Sequence, residues 1–484
     1  MSEKLPERAD MRQLRIQAKE LLRTLPEGAK LAEAQLQIAR QYGFDSWPKL
    51  VAEIEIPALL GKFKYAVYSG DADGLEKLLK GSPNLRKHVN DPIFDFDGQA
   101  IVQAARQPHS RKLLPILVRY GADPNIRTKW WAGGFSALDG ADAEAAEILV
   151  QLGAKFDVWS AAKQGRTDDL AELLDRSPES VNAPGGDGQR PLHVAKDAAT
   201  ASLLIERGAD LEVRDIDHEG TPIQYQVNNL DVVRVLLKAG AKPDIFTAVV
   251  LDDVDLLRQV LKDDPRASEA RTGRGDFTTK SSNGGHISIY VLGPDKTPLQ
   301  LAAERGSRKV LDELLKSATP PQRLVAAAWA EDEALVQEIV KAHPSIASEM
   351  GSDARAITDA AQAGKAETVR LLLEAGLDPS APGMDSGSAL HLACWFGWIE
   401  VVRLLVDRVP LDLIDAPHGS PPLGWACHGA QWCRNSKGDY VAVVEELIAH
   451  GADLKAPGNK NSTPMLDMAG EREDIKAVLK SHGA

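Results

Sequence analysis

Apolar residues in this chain fall at helical spacing in short runs, and the runs come in pairs. Ser388-Ala389-Leu390-His391-Leu392-Ala393-Cys394 reads as one short helix, Gly397 stops it, and Val401-Val402-Arg403-Leu404-Leu405-Val406 supplies the apolar stripe of a second. Similar pairs recur along most of the chain. Many end in the same phrase, as at Gly121-Ala122-Asp123, Gly208-Ala209-Asp210 and Gly451-Ala452-Asp453, with weaker copies at Gly153-Ala154, Gly240-Ala241 and Gly376-Leu377-Asp378. A Gly there takes the left-handed conformation that closes a helix, and the following Asp can bond turn backbone. A single helix pair cannot bury its own apolar side, so stacking of successive pairs is predicted.

The pairs open on a second recurring phrase. It is clearest at Thr297-Pro298-Leu299-Gln300-Leu301-Ala302-Ala303, Pro191-Leu192-His193-Val194-Ala195 and Ala389-Leu390-His391-Leu392-Ala393, and looser at Thr221-Pro222-Ile223-Gln224 and Thr463-Pro464-Met465-Leu466. This resembles the ankyrin repeat, whose period is about 33 residues and whose marker is Thr-Pro-Leu-His-x-Ala. The resemblance runs from about residue 60 to the end and accommodates roughly a dozen units. It implies an all-α ankyrin-repeat solenoid, a stack of helix-turn-helix units, in which His193 and His391 bond backbone between repeats. Two units are too short for full helices, at Ala137-Leu138-Asp139-Gly140-Ala141-Asp142 and Tyr225-Gln226-Val227-Asn228-Asn229.

Residues 1–57 follow another pattern and are expected to form a helical N-terminal cap, with the repeat array over 58–484. Met11 to Leu22 has helical apolar spacing, Pro26-Glu27-Gly28 breaks it, and a second helix is predicted from Lys30 to Tyr42. Asp45 or Ser46 then caps a third, with Pro48 in its first turn. The segment resembles the leader of a group of bacterial ankyrin-repeat proteins. It either seals the first repeat, which needs a polar outer face, or docks a partner.

Two insertions interrupt the array, at 271–295 and 430–438. In the first, Asp276-Phe277-Thr278-Thr279-Lys280 and the alternating His286-Ile287-Ser288-Ile289-Tyr290-Val291-Leu292 flank Asn283-Gly284, which predicts an inserted β-hairpin projecting from the repeat tips. Arg274-Gly275-Asp276 spells an adhesion tripeptide and is read as chance. In the second, Ala430 to Gly438 is expected to loop out between the two helices of one repeat and overhang the inner helix row.

Composition narrows the function classes. A net charge of -13 argues against a general phosphate-binding surface, so no nucleic-acid partner is expected. No run is apolar over the ~20 residues of a membrane span, and the first residues lack a signal-peptide apolar region. Three cysteines, with no Cys-x-x-Cys, fit a reducing compartment. A cytoplasmic protein with no membrane partner is expected.

Four of nine tryptophans and all three cysteines lie between residues 394 and 433, which singles out this stretch as the candidate site. By the ankyrin resemblance, Trp395, Phe396 and His428 face the concave surface, Trp329 holds the equivalent place earlier, and Trp398 and Trp432 flank them. Trp329, Trp395 and His428 are expected either to form a ladder on the groove floor or to be buried as core. Arg434 and Lys437 can pair with acidic groups of a ligand. Trp130 and Trp131 lie at the repeat tips, and His286 and Tyr290 on the expected hairpin. Cys394 and Cys427 sit about one repeat apart, too far for a shared zinc, so no metal and no cofactor is assigned.

No Gly-x-Ser-x-Gly elbow, His-Glu-x-x-His, phosphate loop or dinucleotide fingerprint is present, and no catalytic residue is assigned. The favoured reading is a binding scaffold that takes a protein or peptide ligand in its concave groove and at its repeat tips. The alternative is an enzyme, a hydrolase or lyase acting on a sugar-like small molecule, with His428, Asp439 and His286 as candidate acid and base.

Overall fold

The computed structural model describes residues 5, 10–107, 110–281, 284–433 and 435–484. They are mostly helical, and among them there is no strand, only isolated bridges at Phe94–Gly98 and Arg127–Ser136. The chain divides into two compact units. One comprises Met1–Lys242 and Thr278–Val291, the other Pro243–Phe277 and Leu292–Ala484.

The first unit begins with helices Met11–Thr24, Leu31–Gln41 and Trp47–Ser69. Met11, Leu14, Ala18, Ile38, Ala39 and Leu50 form a small core of their own, separate from the larger core that starts at Phe63. The third helix is continuous through Pro57, so it carries the chain unbroken from the N-terminal segment into the repeats.

Helix pairs follow in each unit. In the second, the inner row runs through Pro320–Trp329, Ala356–Gln362, Ala389–Phe396 and Pro422–Trp432, and the outer row through Glu333–Ala342, Ala366–Glu374, Ile399–Leu405 and Tyr440–Ala449. Inner helices are buried nearly all round, whereas outer helices bury one stripe, such as Val401, Val402 and Leu405. The units expected to be short have single-turn inner helices, Ala137–Gly140 and Pro222–Tyr225.

The recurring phrase behaves as its chemistry demands. Gly121, Gly208 and Gly451 take φ of 101°, 88° and 91°. The Asp two residues on closes a tight turn, with Oδ1 of Asp123, Asp210 and Asp453 accepting from the N–H of Asn125, Glu212 and Lys455 at 2.8–2.9 Å. The side-chain oxygens of Asn90, Asn125 and Asn182 accept backbone N–H groups from the next repeat, at Asp123, Lys155 and Asp210.

The insertion at 271–295 is not a β-hairpin. The hairpin turn expected at Asn283 lies outside the described residues, but the flanks do not pair as strands. Lys280 and Ser281 donate their N–H groups to the Glu219 carboxylate, and Ile287 donates to His218 O. Ser288–Val291 closes a helical turn, with His286 Nδ1 accepting from the Ser288 N–H at 3.2 Å. Each donor a ladder would need is spent elsewhere, and apolar alternation could not reveal that competition. In the second unit Thr272 clamps the ends of the insertion together, exchanging backbone bonds with Asp295 and Lys296.

The second insertion also differs from expectation. The inner helix does not stop at Gly429 but continues to Trp432, and the connection is shortened to 433–438. Gly429 permits this: a Cβ there would lie 2.3 Å from Trp395 O, so only glycine lets the helix pass its neighbour so closely.

Candidate functional site

The extended helix sets the geometry of the aromatic cluster in the second unit. His428 and Trp432 lie one turn apart on it, four residues being neighbours on a helix face, and their rings are 6.2 Å apart. Trp395, from the preceding inner helix, lies 5.6 Å from His428 at a tilt of 34°. Its other side meets the edge of Trp425 at 5.9 Å. Trp425 is buried, Trp395 and His428 are half-buried, and Trp432 is 64% exposed, so the series runs from core to solvent.

Beside these rings is a cleft of about 380 Å³, lined by Trp395, Trp425, His428, His418, Asp385 and Asn461 among others. The floor comes from inner helices and the rim from repeat-tip turns. His418 Nε2 stands 4.0 Å from Asp385 Oδ2 across the rim. Burial, with some repulsion from His418, lowers the His428 pKa, so the ring presents itself neutral. A half-apolar cleft with a few polar groups at its rim is the ordinary form of a ligand site.

The 433–438 connection is fastened to the end of helix Ala389–Phe396. Asn435 Nδ2 donates to Phe396 O at 2.7 Å, Tyr440 OH to Trp395 O at 3.0 Å, and Asp439 N to Gly397 O at 2.9 Å. These bonds satisfy carbonyls that a helix end leaves open and hold Trp395 and Phe396 in place. Phe396 is half-buried and Lys437 exposed; Arg434 lies outside the described residues.

Two other candidates of this unit stand apart from the cleft. Trp329 is 2% exposed, with Lys296 Nζ 3.8 Å from its ring centroid, so it is core rather than part of an open ladder. Equivalent register put it in the inner row, but the Lys296 side chain from the preceding tip turn covers it. Trp398 donates from Nε1 to Gln362 O at 3.0 Å and lies against Gly364, which ties neighbouring repeats together. Asp439 caps the following helix, accepting from the Ala442 N–H. His391 and His193 bond backbone between repeats: Nε2 donates to Ser420 O and Gly220 O, and Nδ1 accepts from Ser388 N and Arg190 N.

The first unit holds a second cluster. Trp130 is half-buried and Trp131 exposed, with rings 6.1 Å apart. Trp130 continues through Phe96 and Phe135 to Trp159, with successive centroids 5.1, 5.7 and 6.5 Å apart. The Arg106 guanidinium lies 4.8 Å from the Phe135 centroid, and Lys163 Nζ 5.0 Å from that of Trp159. Burial lowers the pKa of both cations, against the pull of Asp139 and Asp187. Asp187 stands next to these rings on a glycine loop packed so tightly that a Cβ at Gly185 or Gly186 would fall inside Trp159 or Phe135. Burial foremost, then the Asp217 charge, pushes its pKa up to about 6, with His218 and Trp130 acting against them.

The two clusters share one construction. In the turn 215–220, Asp215 accepts from the N–H groups of His218 and Gly220; in 415–420, Asp415 accepts from those of His418 and Ser420, all at 2.7–2.8 Å. Each turn puts its histidine beside an aspartate of the preceding tip, Asp187 or Asp385. Each is followed by a large ring against an inner-helix histidine, Tyr225 on His193 and Trp425 on His391. Sequence reasoning passed over Asp187, Asp217, His218, Asp385 and His418. The available signal was the repeated Asp-x-x-His spacing at Asp215–His218 and Asp415–His418. Of the insertion residues, His286 is buried, its pKa pushed down to about 4 by burial and by Arg214, whereas Tyr290 is exposed and stacks on His218 at 4.8 Å.

The helix pairs, their tip turns and the inter-repeat histidines agree with what comparison finds. The family model for ankyrin repeats matches residues 324–415 and 356–456. The chain contains ankyrin repeats. The ankyrin repeat-containing protein P1E11.10 of Schizosaccharomyces pombe is 40% identical over 84 residues, 17% of this chain and 39% of that protein. The E3 ubiquitin-protein ligase KEG of Arabidopsis thaliana is 24% identical over 282 residues, 56% of this chain and 16% of the ligase. Alpha-latrocrustotoxin-Lt1a of Latrodectus tredecimguttatus is 28% identical over 171 residues, 35% of this chain and 10% of the toxin. The chain thus spans only 10% and 16% of the toxin and the ligase. No described helix is long and apolar enough to cross a membrane.

Proposed function

We propose that this ankyrin-repeat chain is a binding scaffold, and that a peptide segment of its protein partner seats in the cleft beside Trp395, Trp425 and His428. The observation that carries the proposal is the graded ring series ending in Trp432. A tryptophan that is 64% exposed while stacked on a half-buried histidine has no packing role that accounts for it. Tryptophan anchors of this kind are enriched at binding hot spots, and ankyrin repeats generally serve protein–protein interaction. Phe396 supports Trp395, and Lys437 stands where it can meet an acidic group of the ligand. Trp130, Trp131 and Tyr290 form a second exposed aromatic edge, at the tips of the first unit.

The proposal extends to setting. Cys394 and Cys427 are buried free thiols, as a reducing cytoplasm allows. The net charge of -13 disfavours nucleic acid as the partner. The segment 1–57 is proposed to be the cap of the array, in keeping with the leader of the bacterial proteins it resembles. The enzymatic alternative, a hydrolase or lyase on a sugar-like molecule, has one observation in its favour: the His418–Asp385 pair on the cleft rim.

A displayed random-peptide library, selected against the full chain, tests the reading. The expected result is an enriched peptide family that binds the wild type and loses at least tenfold affinity for Trp395→Ala/Trp432→Ala, while the circular dichroism melt is unchanged. No enriched family, or equal binding by the double variant, would overturn it.

A further inference from the structure

We infer that the first unit carries a site for a divalent first-row transition ion, of the Zn²⁺ or Mn²⁺ type, held by Asp187, Asp217 and His218. One ligand atom from each lies within 4.8 Å of the others. The three come from successive repeat tips, and backbone bonds fix how the tips meet: Ile216 and Asp217 both donate their N–H groups to Asp187 O, at 3.0 and 3.2 Å. Asp187 itself donates to Gly133 O.

Two observations point to a ligand beyond the closeness of acidic groups. The first is unmet polarity. Asp217 is only 6% exposed, and its Oδ1 is buried with no hydrogen-bond partner; Oδ1 of Asp187 is buried and unpartnered as well. A buried carboxylate oxygen without a donor is costly. Among the described residues no Lys or Arg forms an ion pair with either carboxylate. The nearby cations Arg106 and Lys163 lie over aromatic rings instead.

The second is the tautomer of His218. Its Nδ1 lies 2.9 Å from Gly285 O. A carbonyl only accepts, so Nδ1 carries the proton and the neutral ring keeps a lone pair on Nε2. That nitrogen faces Asp217, 3.8 Å from Oδ2. A histidine that donates one ring N–H to backbone and turns the other nitrogen to a carboxylate has the arrangement of a metal ligand with its outer support already in place. The insertion supplies that support: Gly285 takes the ring proton, Tyr290 stacks on the ring, and Ile287 binds the His218 carbonyl.

Ligand chemistry narrows the ion. Two carboxylates and one imidazole, with no thiolate, suit Zn²⁺, Mn²⁺ or Fe²⁺ better than the oxygen-only preferences of Ca²⁺ and Mg²⁺. Bonds of about 2.1 Å require donor separations of about 3–3.5 Å, which small side-chain rotations from the present positions reach. The second unit is an internal control. Its matching turn has Pro417 where the first has Asp217, and His418 and Asp385 are 55% and 59% exposed. It offers two ligands in solvent instead of three in a sealed pocket.

The test uses the full chain stripped with chelator and titrated with Zn²⁺ by calorimetry and with Mn²⁺ by loss of the free-ion paramagnetic resonance signal. We expect one ion per chain, a rise in melting temperature on saturation, and at least a tenfold loss of affinity in Asp217→Asn and in His218→Gln. The control Asp385→Asn/His418→Gln should bind as the wild type does. If Asp217→Asn does not fold, judged by circular dichroism, Asp187→Asn takes its place. No binding to the stripped wild type at millimolar ion, unchanged affinity in the ligand variants, or an equal loss in the control would each overturn the assignment. Equal affinity for Mg²⁺ would overturn the transition-ion class.

Discussion

The indole N–H of Trp425 donates to Oδ1 of Asp415 at 3.0 Å in a fully buried bond. The same carboxylate accepts from the backbone of His418 and Ser420, so a single bond ties the floor of the cleft to the turn that forms its rim. Trp425→Phe keeps the ring but removes the donor. It should weaken protection of the helices Ala389–Phe396 and Pro422–Trp432 by about 1–3 kcal/mol, read by hydrogen exchange. Trp432→Ala, on the same helix but in solvent, should change protection by less than about 0.5 kcal/mol. Equal effects would mean that the exposed ring carries packing as well as contact.

Asp295 lies at the centre of a charged cluster in the second unit. It is 6% exposed and stands 3.7 Å from Arg271, 3.3 Å from Arg355 and 3.1 Å from Arg274 Nη2. Arg274, the first residue of the adhesion-like tripeptide, is therefore engaged inside the fold. Asp295→Ala leaves mostly buried guanidinium groups short of a counter-charge and should cost about 3 kcal/mol. Asp353 and Asp359 remain as partial partners of Arg271 and Arg355. Because the pairs are shielded, the cost should change little between low and moderate salt; a urea titration at two ionic strengths checks both statements.

His193 gives the first unit a pH dependence of known sign. Burial pushes its pKa down to about 4 from the ordinary 6.5, against the pull of the Gly220 carbonyl. Between those values the unfolded chain binds a proton that the folded chain refuses. Stability is therefore full above pH 6.5, falls as pH drops toward 4, and loses nothing further from this group below that. The full loss is about 3 kcal/mol. Hydrogen exchange of helix Ala198–Glu206 at pH 7 and pH 4.5 should show it, and His193→Gln should flatten the difference. An unchanged pH profile in that variant would assign the dependence to other groups.

Much of the architecture was legible because it is local. A stop at Gly208, an Asx turn at Asp210 and a cap at Thr297 each depend on a few neighbouring residues, and the physics of helix ends admits few alternatives. Repetition then amplified the signal. The reading faltered where distant groups competed for the same backbone. Residues 276–292 alternate as a strand does, yet Glu219 and His218 capture the donors a hairpin would use. Helix Pro422–Trp432 outran its expected stop because Gly429 could pass Trp395.

The sequence by itself determined that helix pairs would stack, where they would be short, and that Trp395, His428 and Trp432 belonged to one stretch. Tertiary structure decided which of these rings face a cleft, that Trp329 is core, and that Asp187, Asp217 and His218 converge. The reason is range. Capping and periodicity act over a single turn of chain, whereas burial, a histidine tautomer and an unpaired carboxylate depend on what folds back from other repeats.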